Sequence, residues 1–309
     1  MNNIYAEYLK FVCFSFFGFG GFSMAFAMDR YPVKPITLVV PFSASGPTDK
    51  LARDLAEAMR QRLGQSVVVE NMGGAGGTIG ASKVASARPD GYTLMLVHIG
   101  MATWPSLYPG WKRKTVEAFE YLGLINEVPM TFVGRATLPA NNVGELIPWI
   151  KENASKINMA NGGPGSASDL CGLLLQQQLA VSLTSIPYKG TAPAMTDLMG
   201  GQLDLLCTMT IGSQEKIKLN KIKGYAVTSL KRVRTPELEK LPTLDEAGLK
   251  GFNVAIWHGL YAPKNTPFEI TLKINNVLKS ILSDPKFVKG QERLGALVVD
   301  KKFQTPDGH

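Results

Sequence analysis

Apolar positions along this chain alternate between two patterns. Short continuous runs give way to residues recurring every fourth position, as expected of strands alternating with amphipathic helices. Ile36, Leu38, Val39 and Val40 form a run suited to a buried parallel strand, and Pro41 stops it. Ser43-Ala44-Ser45-Gly46-Pro47-Thr48-Asp49 follows, a loop of small residues and turn formers. Leu51, Leu55, Met59 and Leu63 then recur at four-residue spacing with Arg53, Glu57 and Arg60 between them, one apolar stripe on a helix. The loop therefore joins the carboxyl end of a strand to the amino end of a helix. Free N–H groups and the positive dipole end converge there and favour a small anion. A plain β–α turn has the same pattern, and one such unit does not separate the two.

The alternation continues. Residues 66–70 read as a strand, and 71–80 as a glycine-rich loop opening a short helix through Val84 and Ala85. This loop fails the dinucleotide spacing, because Ile79 stands where the third glycine belongs, and no Lys-Ser/Thr pair closes it as a phosphate loop. Its glycines permit a close approach to a ligand or to another lobe, or simply a tight turn. Pro89-Asp90-Gly91 turns into a strand over 92–98. Strands at 121–125 and 131–133 flank Val128-Pro129. Beyond them come a helix over 143–152, a strand over 157–160 and a second small-residue loop over 161–169. A helix over 170–179, a strand over 184–187, a turn at 188–190 and a helix over 192–199 follow. Strands at 203–206 and 225–229, segments at 252–256 and 259–261 crossing back, and a helix over 267–282 complete the pattern. In that last helix Ile270, Ile274, Val277, Leu278 and Ile281 share one side, and Asp284-Pro285 breaks it. The expected fold class is α/β with two lobes, each a mixed sheet flanked by helices. Lobe 1 takes 28–129 and 256–309, and lobe 2 takes 130–255. Paired loops facing one another across a hinge suit capture of a small anion.

Composition sharpens this picture at four points. With 309 residues, 45% hydrophobic, the chain is long enough for two cores. Its net charge of +8 is scattered, with small clusters at 112–114 and 231–234 and no arginine-rich tract or zinc-finger spacing, which argues against nucleic acid. A positive field suits an anionic solute or an acidic membrane surface, and a merely basic protein has the same charge. Ahead of residue 28, Lys10 precedes an apolar core at 11–19, and Ala25-Phe26-Ala27 fits small-x-small cleavage, so 1–27 reads as a signal peptide. The other reading is an uncleaved anchor, against which the short core and Gly18, Gly20 and Gly21 speak. Two cysteines remain, Cys171 and Cys207, either a disulfide in an exported protein or two buried thiols.

Several motifs in order make the chain resemble a known family. They are Val39-Val40-Pro41-Phe42 with Gly46-Pro47-Thr48-Asp49, Val69-Glu70-Asn71 with the glycine loop, and Pro89-Asp90-Gly91-Tyr92-Thr93-Leu94. Gly165-Ser166-Ala167-Ser168, Pro187-Tyr188-Lys189-Gly190-Thr191-Ala192-Pro193-Ala194, Gly200-Gly201-Gln202-Leu203-Asp204 and Trp257-His258-Gly259-Leu260-Tyr261-Ala262-Pro263 follow. The chain resembles the solute receptors of tripartite tricarboxylate transporters, the Bug proteins, from about Tyr31 onward. The resemblance implies a two-lobed, type II periplasmic binding protein fold. It implies a small organic carboxylate as ligand, held partly through water, and delivery to membrane permease subunits. It implies a monomer with no cofactor, no metal and no catalytic residue. By position, Ser43, Ala44, Ser45, Gly46, Pro47, Thr48 and Asp49 form the first-lobe side of the pocket, with His98 and Gly100 nearby. Gly165, Ser166, Ala167, Ser168 and Asp169, with Thr208 and Met209, form the second-lobe side.

Four departures from the family pattern bear on the ligand. Ser45 replaces a glycine, Asp169 stands where the family has His, and Thr208 stands where close relatives have Asp. Relatives also continue past the segment ending at His309 with a further helix, whose loss would expose apolar surface around Leu63 or Leu294. Ser166 and Asp169 form a capping-box-like pair, and a well-capped helix is one reading of Asp169. The other is a carboxylate competing with an anionic ligand: like charges about 4 Å apart at an effective dielectric near 20 repel by about 4 kcal/mol. The alternative function is an α/β enzyme acting on a small phosphate or carboxylate. Against it stand three histidines without metal spacing, at 98, 258 and 309, and no Gly-x-Ser-x-Gly elbow. A receptor presenting its liganded form to a membrane sensor is a third function the sequence does not separate from transport.

Overall fold

The computed structural model describes residues 31–111, 115 and 117–309. The signal-peptide reading of 1–27 and the basic cluster at 112–114 lie outside them. The first lobe opens with β1 (Ile36–Val40), α1 (Pro47–Leu63), β2 (Val67–Asn71), α2 (Thr78–Ala85) and β3 (Thr93–His98). The apolar run of β1 is buried between parallel β2 and β3, and the stripe Leu51, Leu55 and Met59 of α1 packs on it.

β4 is a single strand, Phe119–Arg135, where the sequence pattern suggests two. The crossing between lobes expected at Val128-Pro129 takes the form of a change of partner within this one strand. Up to Pro129 the strand pairs antiparallel with β9 (Ala255–Pro263), and from Met130 it pairs with β7 (Leu205–Met209). Proline lacks the N–H that a central ladder uses, so it is tolerated where one ladder ends and another begins. The segments at 252–256 and 259–261 likewise merge into β9, which also pairs with β3.

The second sheet adds α3 (Val143–Asn153), β5 (Asn158–Asn161), α4 (Ala167–Leu179), β6 (Thr184–Pro187) and α5 (Thr191–Met199). After β7 come α6 (Thr210–Lys218) and β8 (Ile222–Val227). Strand order runs β2-β1-β3-β9-β4-β7-β5-β6, with β8 also paired to β4. β7 begins two residues later than its apolar run suggests. The Asp204 carboxylate accepts from Arg135 Nε and the Asn158 N–H, which pins the turn before it. α6 leaves no sequence signal, because its inward positions are Thr210, Ser213 and Gln214.

The chain returns to the first lobe in α7 (Phe268–Leu282), α8 (Pro285–Arg293) and β10 (Leu297–Val298). Asp284-Pro285 ends α7 and also starts α8, with Asp284 accepting from the Lys286 N–H and Pro285 at the first helical position. Leu63 and Leu294 are each half-buried, so the apolar surface expected there is only partly exposed. Each lobe has its own core, one around Leu38, Leu55, Leu96 and Ile274, the other around Phe132, Leu175, Tyr225 and Phe252. In the second, Cys171 of α4 and Cys207 of β7 form a disulfide with Cα atoms 6.2 Å apart. Among the described residues no helix is long and apolar enough to cross a membrane.

Candidate functional site

Between the lobes lies a cavity of about 20 Å³, room for about one water molecule as the lobes stand. The first lobe lines it with Phe42, Ser43, Gly46, Pro47, Thr48 and His98. The second supplies Gly162, Ser166, Ala167, Ser168, Gly190, Thr191 and Met209, and Met130 lies at the crossing. Three helix N-termini therefore meet there, those of α1, α4 and α5. Gly46 and Gly190 are the N-caps of α1 and α5, and neither offers a side-chain cap, so the first N–H groups of both helices stay available.

Among the described residues none that lines the cavity is acidic or cationic at neutral pH. His98 is neutral, because burial drives its pKa down to about 3. Its Nδ1 accepts from the Gly100 N–H, so the remaining proton sits on Nε2 as a donor. Ser168 Oγ accepts from the Gly162 N–H, Ser166 Oγ accepts from the Asp169 N–H, and the two hydroxyls lie 3.0 Å apart. One of their two protons is used between them and the other is left for a guest. Ser43 Oγ is buried without a hydrogen-bond partner among the described residues. The chemistry on offer is neutral donors at converging helix ends, which holds a small anion without a counter-charge.

The sequence-read site residues divide. Ser43, Gly46, Pro47, Thr48, His98, Ser166, Ala167, Ser168 and Met209 line the cavity. Ala44 and Ser45 are exposed and, with Thr208, line an outer groove instead. Gly100 and Gly165 stand behind the lining, where the Gly165 carbonyl accepts from Thr103 Oγ1 across the lobes. Asp49 accepts from the Ser45 N–H and from Arg53 Nε. Burial pushes its pKa up, but the hydrogen bonds from Arg53, Ser45 and Asn71 outweigh that and hold it below the usual range. Asp169 accepts from the Gly165 N–H at 2.8 Å and the Asn161 amide at 3.0 Å, and does not line the cavity. The Asp169 carboxylate is thus turned to its own loop rather than into the lining.

Sequence reasoning passed over Phe42, Met130, Gly162, Gly190 and Thr191. Phe42 stacks on the His98 ring at 4.3 Å. Gly190-Thr191 had a legible signal, a glycine opening a helix two residues after a strand. Its backbone has φ +147, and a Cβ there would collide with Ser43 Oγ and lie 2.8 Å from the Ser43 nitrogen. Gly76 makes a similar approach, where a Cβ would collide with the Pro164 carbonyl. The loop over 71–80 thus uses glycine to meet the other lobe. Among the described residues four hydrogen bonds tie the lobes: Ser43 N–H to the Lys189 carbonyl, Tyr108 Oη to the Pro164 carbonyl, Thr103 Oγ1 to the Gly165 carbonyl (a proton shared with the Gly100 carbonyl), and Thr210 Oγ1 to the Leu294 carbonyl.

The model of the tripartite tricarboxylate transporter family receptor matches residues 51–305. A relative from Agrobacterium vitis, encoded in the TAR-I ttuE-ttuC' intergenic region, is 47% identical over 283 residues, 92% of this chain and 81% of its own. The solved periplasmic binding protein BugD is 51% identical with a TM-score of 0.85, covering 90% of this chain and 92% of its own. MatC from Rhodopseudomonas palustris, solved with bound malate, is 35% identical with a TM-score of 0.84, covering 90% of this chain and 94% of its own.

Proposed function

The chain belongs to the tripartite tricarboxylate transporter receptor family, and from that premise we propose that it captures a small carboxylate between its lobes and hands it unchanged to membrane permease subunits. The observation carrying this reading is the composition of the cleft. Three helix N-termini and the neutral donors His98, Ser43 and the Ser166–Ser168 pair converge there with no acid among them. MatC, on the same fold, was solved with malate. The closed cavity is smaller than any dicarboxylate, so entry requires the inter-lobe hydrogen bonds of Ser43, Thr103 and Tyr108 to part, a hinge motion about the β4 and β9 crossings. In this reading lobe 1 is 28–129 with 256–309 and lobe 2 is 130–255. Residues 1–27 are removed on export to the periplasm, and the receptor works as a monomer and performs no chemistry.

A thermal-shift screen of small organic acids and phosphate esters tests it. Binding raises Tm as ligand exceeds its Kd, so carboxylates are expected to shift Tm and to be recovered intact. Shifts confined to phosphate esters, or consumption of a bound acid, would overturn it.

A further inference from the structure

Behind the cleft runs a buried chain of side chains that ends on Thr48, a residue lining the cavity. Gln291 Oε1 accepts from Asn126 Nδ2 at 2.8 Å. That orients Asn126 so that its Oδ1 faces His258 Nδ1, also at 2.8 Å. His258 Nε2 lies 3.3 Å from Thr48 Oγ1. Gln291, Asn126, His258 and Thr48 are all at most 3% exposed.

We propose that this chain fixes Thr48 as a hydrogen-bond acceptor toward the cleft, making it a specificity-determining residue that selects a carboxylate carrying a hydroxyl. The proton count follows link by link. Asn126 Oδ1 can only accept, so His258 Nδ1 carries the ring proton. Burial, and His98 beside it, keep the ring neutral, so Nε2 is a bare acceptor. The Thr48 hydroxyl is the group facing it and gives its proton inward. The lone pairs of Thr48 Oγ1 are then what it offers a guest, in a cleft whose other polar groups donate. The Thr48 hydroxyl offers a carboxylate oxygen no donor, whereas it offers a ligand hydroxyl an acceptor. An ammonium group would also donate, but it would be buried without a counter-charge. Asp49 and Asp169 are both turned to their own loops, and no lining residue is acidic. His258 acts through Thr48 and is a positioning residue. This inference rests on the carboxylate-receptor reading.

Two measurements on the full mature chain decide it. The first is the ring nitrogen spectrum of 15N-histidine-labelled protein, which distinguishes the two neutral tautomers. His258 is expected as Nδ1–H, and an Nε2–H or charged ring overturns the proposal. The second compares malate with succinate by calorimetry. Malate is expected to bind about 2- to 10-fold tighter, the range one hydrogen bond supplies. Thr48→Ser keeps that ratio, and Thr48→Val brings the two acids to within about twofold, a change below the low end of one hydrogen bond. Equal binding of both acids by the unaltered protein overturns this inference alone. Binding of neither overturns the carboxylate reading and this inference together. Because the tautomer and the ratio are read on the unaltered protein, misfolding of the Val variant does not rescue a failed proposal.

Discussion

The two cleft loops are built to one local plan and charged differently. In each, an aspartate in the first helical turn accepts the N–H of the residue four positions earlier: Ser45 to Asp49 at 2.9 Å, Gly165 to Asp169 at 2.8 Å. Asp49 also has Arg53 as a partner, and its pKa is lowered. Among the described residues Asp169 has no cationic partner in contact, and burial raises its pKa despite the Gly165 N–H. The first loop leaves its helix end free of side-chain caps. The second satisfies much of its own backbone through Asn161, Ser166 and Ser168. One local motif therefore serves two ends: a compensated acid beside an open helix terminus, and an uncompensated acid closing a rigid loop.

The largest test of that contrast is the disulfide behind the second loop alone. Cys171 sits two residues after Asp169, on the helix that carries the loop. Replacing Cys171 and Cys207 with serine frees a 36-residue separation. The expected loss is about 2–4 kcal/mol in urea unfolding of the oxidised protein, seated in the second lobe. No loss would mean the second loop is held by its packing and hydrogen bonds without help from the covalent tie. Next comes the point where the lobes touch. Gly190→Ala places a Cβ against the Ser43 backbone at a φ unsuited to alanine. The lobes should then stay parted, weakening the ligand found by screening by about 10- to 30-fold, equivalent to about 1.5–2 kcal/mol. Unchanged affinity, with unchanged scattering dimensions, would mean the closed contact is not part of binding.

How much of this contrast could be read in the sequence depends on the range of the interaction. The strand–loop–helix units were legible because apolar run, small-residue loop and apolar stripe are neighbours in the chain. Ser166 as cap of α4 was legible for the same reason. The direction in which Asp169 points was not, since Asn161 and Gly165 compete for it through loop geometry that no periodicity reports. Gly190 and Phe42 entered the site only because the lobes meet. The Asn126, His258 and Gln291 chain joins residues up to 165 positions apart. Val128-Pro129 read as a crossing between two strands, and what no periodicity reports is that one continuous strand makes it, exchanging ladders at the proline.

A smaller effect tests the compensated acid. Arg53→Met leaves Asp49 nearly buried with only amide donors. Asp49 has a depressed folded pKa, so its stabilisation is present above the unfolded carboxylate value and lost as pH falls through the folded one. Because the Arg53 side chain is 55% exposed, solvent screening limits the expected loss to about 0.5–1 kcal/mol at neutral pH. The difference should vanish at acid pH. A difference independent of pH would assign the loss to packing rather than charge.

The uncompensated acid should behave in the opposite sense, with the smallest effect. Asp169 has a raised folded pKa, so its favourable contribution is complete below the unfolded carboxylate value and is lost as pH rises through the folded one. The positive end of α4 favours the charged form, but burial without a cation outweighs it in the net direction of the shift. Asparagine keeps an acceptor for the Gly165 N–H and carries no charge. Asp169→Asn is therefore expected to match the unaltered protein at acid pH and to exceed it near neutrality by up to about 1 kcal/mol, the scale of one charge-dependent hydrogen bond. Paired urea melts across that range measure the difference directly. If the asparagine variant is instead less stable at neutral pH, the carboxylate is stabilised where it sits, and the two loops are alike in charge as well as in plan.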